Sequence, residues 1–231
     1  ILLDRLISCE NRGLFMKKII LILCSILVSL SLMGCMDKNS TVTEQENNSA
    51  SVDTNQNASK SLVVYFSRAG ENSSVGNIEK GNTEIIAEMI AQETNADLFK
   101  IEPVEDYPVT YDECVALAKQ EKESNARPEI KGDIDIDKYD VIFVGYPIWW
   151  SDMPMPVYTF LEAHQYEGKT IIPFCTHEGS GLANTENYLR NVCKGAEVLN
   201  GLAIRGRIAQ NEQEKAKEEV ENWLKEINII K

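Results

Sequence analysis

Apolar and polar positions alternate in blocks along residues 61–231, and the period changes from block to block. Ser61–Phe66 (SLVVYF) is a short β-rich run. After it, Ile85, Ile86, Met89 and Ile90 recur at helical spacing and predict a helix over 83–94. A second strand is predicted over 96–102, stopped by Pro103, and an amphipathic helix over 111–124 with Cys114, Val115, Leu117 and Ala118 inward. The run 139–147 (YDVIFVGYP) is apolar on both faces, as a central parallel strand must be. A helix over 155–164, a strand over 169–176, a helix over 183–193 and a strand over 197–206 follow. The closing helix, 211–227, turns Val220, Trp223, Leu224 and Ile227 inward. Five β–α units in series predict an α/β fold: a doubly wound, five-stranded parallel sheet in a three-layer sandwich, joined by right-handed crossovers.

The first 60 residues have a different character. Met16–Cys35 begins with Lys17 and Lys18, continues as an apolar stretch and ends Leu32-Met33-Gly34-Cys35. That is the profile of a signal peptide. Its ending resembles a lipobox, which makes Cys35 the expected lipidated N-terminus. Ile19–Met33 is fifteen residues, short of the ~20 that span a bilayer. Residues 1–15 precede the expected start at Met16 and are read as upstream sequence. Residues 36–60 are rich in Ser, Thr, Asn and Gln and lack aromatic residues, so they read as a tether. The expected setting is therefore extracytoplasmic, at a bacterial membrane.

The formal net charge is −13, all of it within residues 61–231. Such a domain repels nucleic acid and anionic lipid head groups, so membrane attachment rests on the acyl chain alone. Cys114, Cys175 and Cys193 are an odd set without a CxxC, which argues against a disulfide framework. No metal site is expected.

In a parallel sheet of this kind, ligands bind beyond the C-terminal strand ends. Three loops lie there. Residues 67–82 carry Ser67, Arg68 and Gly81-Asn82-Thr83 ahead of a helix, which suits a phosphate at a helix N-terminus, although Thr83 also serves as a plain N-cap. Neither GxxxxGK[ST] nor GxGxxG occurs, so nucleoside triphosphate and dinucleotide fingerprints are lacking. Residues 146–153 hold Trp149-Trp150 between prolines. Adjacent side chains of a strand alternate faces, so at least one indole belongs to a cleft. Residues 176–182 (THEGSGL) resemble a nucleophile elbow, but G-x-S-x-G fails at Glu178 and Leu182 and no histidine follows Ser180. His177 at a strand end is a candidate functional residue, His164 reads as a solvated helix-end residue, and Cys175 as a buried strand thiol. An anion site, an aromatic wall and a glycine-rich edge together fit a planar heterocycle with one terminal phosphate: FMN in preference to NAD.

The stretches YFSR…GNTE, GYPIWWSDMPMPVYTFLE and CTHEGSG resemble the flavodoxin family, and more closely its bacterial lipoprotein members, over about residues 61–208. The resemblance implies strand order 2-1-3-4-5 and non-covalent FMN. By position it places Ser67, Arg68, Asn82 and Thr83 at the phosphate. It places Pro147, Ile148, Trp149 and Trp150 beside the isoalloxazine, and Thr176, His177, Glu178, Gly179, Ser180 and Gly181 along its other edge. The departure from the family pattern is an insertion, Ala69 to Lys80. The implied function is electron transfer with redox partner proteins. The alternatives are an NAD(P)H-dependent quinone or small-molecule reductase, with His177 or Tyr146 donating a proton, and a flavin-free binding or signalling domain. The last is disfavoured because a phospho-acceptor receiver needs Asp where this chain has Tyr146-Pro147.

Overall fold

The computed structural model describes residues 60–231. The upstream segment, the signal peptide with Cys35, and the tether up to residue 59 lie outside the described residues. In chain order the elements are β1 (Ser61–Tyr65), β2 (Gly70–Asn72), β3 (Gly76–Ile78), α1 (Asn82–Thr94), β4 (Asp97–Lys100) and β5 (Glu102–Pro103). Then come α2 (Tyr111–Glu123), β6 (Ile130–Lys131), a 3-10 turn (Ile136–Lys138), β7 (Val141–Pro147) and α3 (Met155–Glu162). The chain finishes with β8 (Thr170–His177), α4 (Thr185–Val192), β9 (Glu197–Val198), β10 (Leu202–Arg205), α5 (Gly206–Asn211) and α6 (Gln213–Glu226).

The central sheet runs β10-β8-β7-β1-β4, every pairing parallel. That is the order 2-1-3-4-5 once the short hairpins are set aside. Successive residues of β1 serve opposite faces: Leu62 and Val64 enter one core with Val157, Phe160 and Leu161 of α3. Val63 and Tyr65 enter the other with Ile86 and Ile90 of α1 and Val220 and Leu224 of α6. Burial on both faces is why β7 and β8 read as unbroken apolar runs.

Three features differ from the pattern-based expectation. The fifth strand is split into β9, which pairs Thr170 and Ile171, and β10, which begins opposite Phe174. Between them β8 presents Ile172 and Pro173, and the proline has no N–H to give a ladder. A Cβ on Gly201 would sit 2.8 Å from Pro173 Cγ and its carbonyl oxygen, so the linker passes tightly there. The 67–82 loop contains the hairpin β2–β3, and residues 206–211 form α5 where only a link between the last strand and the closing helix was expected. No helix of the described residues is long and apolar enough to cross a membrane.

Candidate functional site

The loops after β1, β7 and β8 meet at one end of the sheet. Gly81 is the N-cap of α1, with ordinary extended backbone (φ −67°, ψ 150°). It is required for space: a Cβ would run into Ser67 Oγ and come within 2.7 Å of the Arg68 carbonyl oxygen and 2.9 Å of its nitrogen. Ser67 Oγ in turn accepts the Glu84 N–H at 3.0 Å, and the Ile85 N–H bonds to the Gly81 carbonyl at 3.3 Å. A helix leaves its first four N–H groups without internal partners. Here the Ile85 bond to Gly81 is the first internal one and Ser67 takes the Glu84 N–H, leaving those of Gly81, Asn82 and Thr83. The Thr83 side chain is no cap: its hydroxyl is buried against that of Thr176 at 2.8 Å, tying α1 to the end of β8. Asn82 Oδ1 is buried without a hydrogen-bond partner. A Cβ on Gly206 would strike the Asn82 amide nitrogen, so the start of α5 also holds this side chain.

Arg68 takes a different place from the one its position implied. Its guanidinium donates to four carbonyls: Glu71 (2.6 Å), Pro108 (3.0 and 2.5 Å), Val109 (2.6 Å) and Thr110 (3.2 Å). The Glu71 carboxylate accepts the Tyr111 N–H at the start of α2 (3.0 Å), and the Glu71 N–H bonds to the Val109 carbonyl (2.9 Å). Arg68 therefore clasps the inserted hairpin to the loop ahead of α2, its N–H groups engaged by main-chain acceptors while the side chain still lines the cleft.

The tryptophans separate, but at a turn beyond the end of β7 and not along a strand. Trp149 is half-buried, edge-on to Phe66 (centroids 5.3 Å) and Tyr107 (5.0 Å). Trp150 is 47% exposed and lies over α2, its indole N–H donating to the Val115 carbonyl at 3.1 Å. Between them the chain turns tightly: Trp149 and Asp152 exchange backbone bonds of 2.9 and 3.0 Å, with Trp150 and Ser151 at φ +52° and +61°. A bulky residue held in the left-handed region is strained backbone of the sort that clusters at functional sites.

After β8, His177 Nδ1 accepts the N–H groups of Gly179 (2.9 Å) and Gly181 (3.1 Å). Those amides, expected to approach a ligand, are engaged by the imidazole. Partial burial and the Arg205 charge lower the affinity of His177 for a proton, against the opposing pull of Glu178. The Glu178 carboxylate accepts the Arg207 N–H (2.9 Å) at the start of α5. Tyr146 is a correction: it is fully buried, bonded to the Thr185 hydroxyl at 2.8 Å, and burial raises its pKa well above 10, so it does not reach the cleft as a proton donor. Cys175 is buried as expected, its thiol donating to the Gly181 carbonyl at 3.5 Å. His164 is less solvated than expected: it is 10% exposed, with Nε2 3.0 Å from Asp133 and the ring stacked on Phe160.

These loops enclose a cleft of about 330 Å³, within the range of small-molecule sites. Arg68, Asn82, Pro147, Ile148, Trp149, Trp150, Thr176, His177 and Glu178 line it. Ser67, Thr83, Gly179, Ser180 and Gly181 are not lining residues; Ser67 and Thr83 brace α1 from behind. The other wall went unseen in the sequence: Tyr111, Cys114, Val115 and Ala118 of α2, with Asn72 and Ser73 of the hairpin. Its only signal was the apolar stripe of α2, which was assigned wholly to the core. Burial raises the Cys114 pKa, opposed by the nearby Arg68 charge, so this thiol stays protonated in the wall. Among the described residues no cluster of His, Cys, Asp and Glu could hold a metal ion.

Comparison with known proteins agrees with this architecture. A family model described as Flavodoxin matches residues 60–227. Among solved structures, a candidate flavoprotein from Bacteroides eggerthii DSM 20697 is 29% identical. The match covers 75% of this chain and 100% of that one, with a TM-score of 0.59. A second, from Bacteroides uniformis ATCC 8492, is 27% identical over 72% of this chain and 98% of that one (TM-score 0.57). A flavoprotein from Lactobacillus acidophilus NCFM, solved in complex with FMN, is 24% identical over 68% and 98% (TM-score 0.51) and shares the fold. A search of curated proteins finds no match. With the family model covering most of the chain and the sheet order, helices and strand-end cleft all in agreement, this protein belongs to the flavodoxin family.

Proposed function

We propose that the chain binds FMN in this cleft and works as an electron-transfer protein, held at the outer face of a bacterial membrane by a lipid on Cys35. The observation that carries the cofactor reading is the set of unused groups at the start of α1. The N–H groups of Asn82 and Thr83 suit a terminal phosphate, and the buried, unpartnered Asn82 Oδ1 needs a hydroxyl donor, which a ribityl chain supplies. Ile148 and Trp149 give the planar ring system an apolar wall, and α2 supplies the wall across from it. FMN, once bound, supplies one-electron chemistry. The chain's own part is to bind and orient it, to exclude water with the aromatic trio Phe66, Tyr107 and Trp149, and to set its potential through the surrounding charge.

An electron carrier is favoured over a reductase because both proton-donor candidates are committed elsewhere: Tyr146 is sealed under the sheet end, and His177 organises its own loop. The signal-peptide reading of Met16–Cys35 supports the anchor. The deciding experiment is the visible spectrum of the purified chain, with and without added FMN. A flavin spectrum that follows the protein supports the reading, and a colourless chain that ignores FMN refutes it. Steady NAD(P)H consumption with a quinone would favour the reductase. For the anchor, Cys35→Ser is expected to move the protein from the detergent phase to the aqueous phase; unchanged partitioning overturns it.

A further inference from the structure

The loop after β8 has an unusual hub. His177 stands at the strand end, and its Nδ1 accepts from two backbone N–H groups, Gly179 at 2.9 Å and Gly181 at 3.1 Å. An imidazole nitrogen accepts only while it carries no proton. The other ties of this loop do not depend on the ring: Glu178 is held through its carboxylate by the Arg207 N–H and through its carbonyl by Arg205 (3.3 Å), and the Gly181 carbonyl by the Cys175 thiol. Gly179 and Gly181 both have positive φ (+151° and +59°), so the turn adopts a conformation open chiefly to glycine and needs bonds to hold it.

Resting on the FMN reading above, we propose that His177 is a positioning residue. Its unprotonated Nδ1 folds the 178–181 edge of the cleft, and protonation there unfastens that edge and weakens flavin binding. A proton on Nδ1 turns one acceptor into a donor, so two N–H groups lose their partner at once and face a cation. The charges against the ring are Arg205 from β10, its register partner across the sheet, and Glu178 beside it in the chain; the Cys175 thiol lies two residues back on β8. Arg205 and partial burial disfavour the imidazolium and Glu178 favours it, with the net effect below the ordinary 6.5. The contribution of these bonds to the folded loop is therefore complete above about pH 6.5 and is lost as pH falls through the lower value in the folded protein.

The test uses the full chain. FMN affinity is measured by quenching of flavin fluorescence from pH 8 to 4.5 for the wild type, His177→Ala and His177→Asn. Asparagine places an untitratable oxygen close to the Nδ1 position. His177→Ala should weaken binding at least about tenfold at pH 8, and His177→Asn should recover most of that loss. On acidification the wild type should lose up to about tenfold in affinity per pH unit below the ring's pKa, beyond the loss shown by His177→Asn. The FMN phosphate titrates alike in both, so the difference isolates the ring. A second readout needs no flavin: the amide resonances of Gly179 and Gly181 in the apo chain should move together with the His177 ring protons as pH is lowered. Identical pH slopes in wild type and His177→Asn, or glycine amides indifferent to the ring's titration, overturn the inference. Failure of the wild type to bind FMN at pH 8 overturns the cofactor reading instead, and the amide titration still decides the role of His177.

Discussion

Gly81→Ala should cost far more than an added methyl at a helix N-cap normally does. With φ at −67°, alanine fits the backbone conformation, so the penalty is steric and can be worked from the neighbours. The new Cβ falls on Ser67 Oγ and within 2.7 and 2.9 Å of Arg68 main-chain atoms. Ser67 can rotate away only by releasing the Glu84 N–H, a loss of about 1 kcal/mol, as for other caps. Arg68 cannot yield easily, because its guanidinium is bonded to four carbonyls across the hairpin and the 108–110 loop. Overpacking against such a fixed wall costs roughly 1–3 kcal/mol. The total is about 2–4 kcal/mol, which for a domain of this size lowers Tm by roughly 5–15 °C. The assay is urea unfolding of the apo chain followed by tryptophan fluorescence, alongside Ser67→Ala, which should lose about 1 kcal/mol. The double variant should fall short of the sum by about 1 kcal/mol, since the cap is lost once and the closest collision disappears. A Gly81→Ala chain within about 0.5 kcal/mol of wild type, or strict additivity, would refute the reasoning.

Other expectations follow from the same geometry. Thr83→Val leaves the Thr176 hydroxyl buried without its partner and should cost about 1–3 kcal/mol; adding Thr176→Val should cost less than a second such loss, and denaturant unfolding reads the difference. In a domain holding the whole −13 charge, the second reduction potential of bound FMN should lie below that of free FMN and rise with added salt. A redox titration that puts it at or above the free value contradicts this. Deleting Glu71 to Lys80 removes the Glu71 carboxylate from the Tyr111 N–H and one of the Arg68 acceptors, so FMN affinity should fall as the α2 wall loosens. Unchanged affinity in a fluorescence titration would show that the hairpin is independent of the cleft.

The sheet was legible in the sequence because burial on both faces leaves a direct mark: β1, β7 and β8 are continuous apolar runs, and β–α alternation made them parallel, while their order came from the family resemblance. The tryptophan pair was expected to divide by strand alternation, but it lies past the end of β7, where a turn with Trp150 at φ +52° parts the two rings. What could not be read are elements held by main-chain bonds. The arms of β2–β3 are three residues each, with Ile78 their one apolar side chain and so no alternation to detect. The break between β9 and β10 lies opposite Pro173, 29 residues before β10 begins at Leu202 and so outside any local pattern, and α5 begins at a glycine fixed by contact with distant Asn82. Tyr146 was misplaced because position along the chain located its backbone beside the cleft, while its tertiary partner Thr185 decided where its side chain went; Arg68 lines the cleft, but its carbonyl partners could not be read from the sequence.

The clasp around Arg68 has a consequence for how this chain can diverge over time. Its acceptors are peptide carbonyls, which every amino acid carries, so Glu71, Pro108, Val109 and Thr110 can be exchanged without removing any of the bonds to the guanidinium. Inheritance is strict at only two points, Arg68 itself and Gly70, whose φ of +86° and 2.8 Å clearance from the Val109 carbonyl leave no room for a side chain. Outside Asn72, which bonds the Arg68 and Gly70 carbonyls, and Gly76 at φ +72°, the side chains of the hairpin tip take no part in that clasp, and descendants of this gene can rewrite the rim of the cleft while the grip that holds it stays the same.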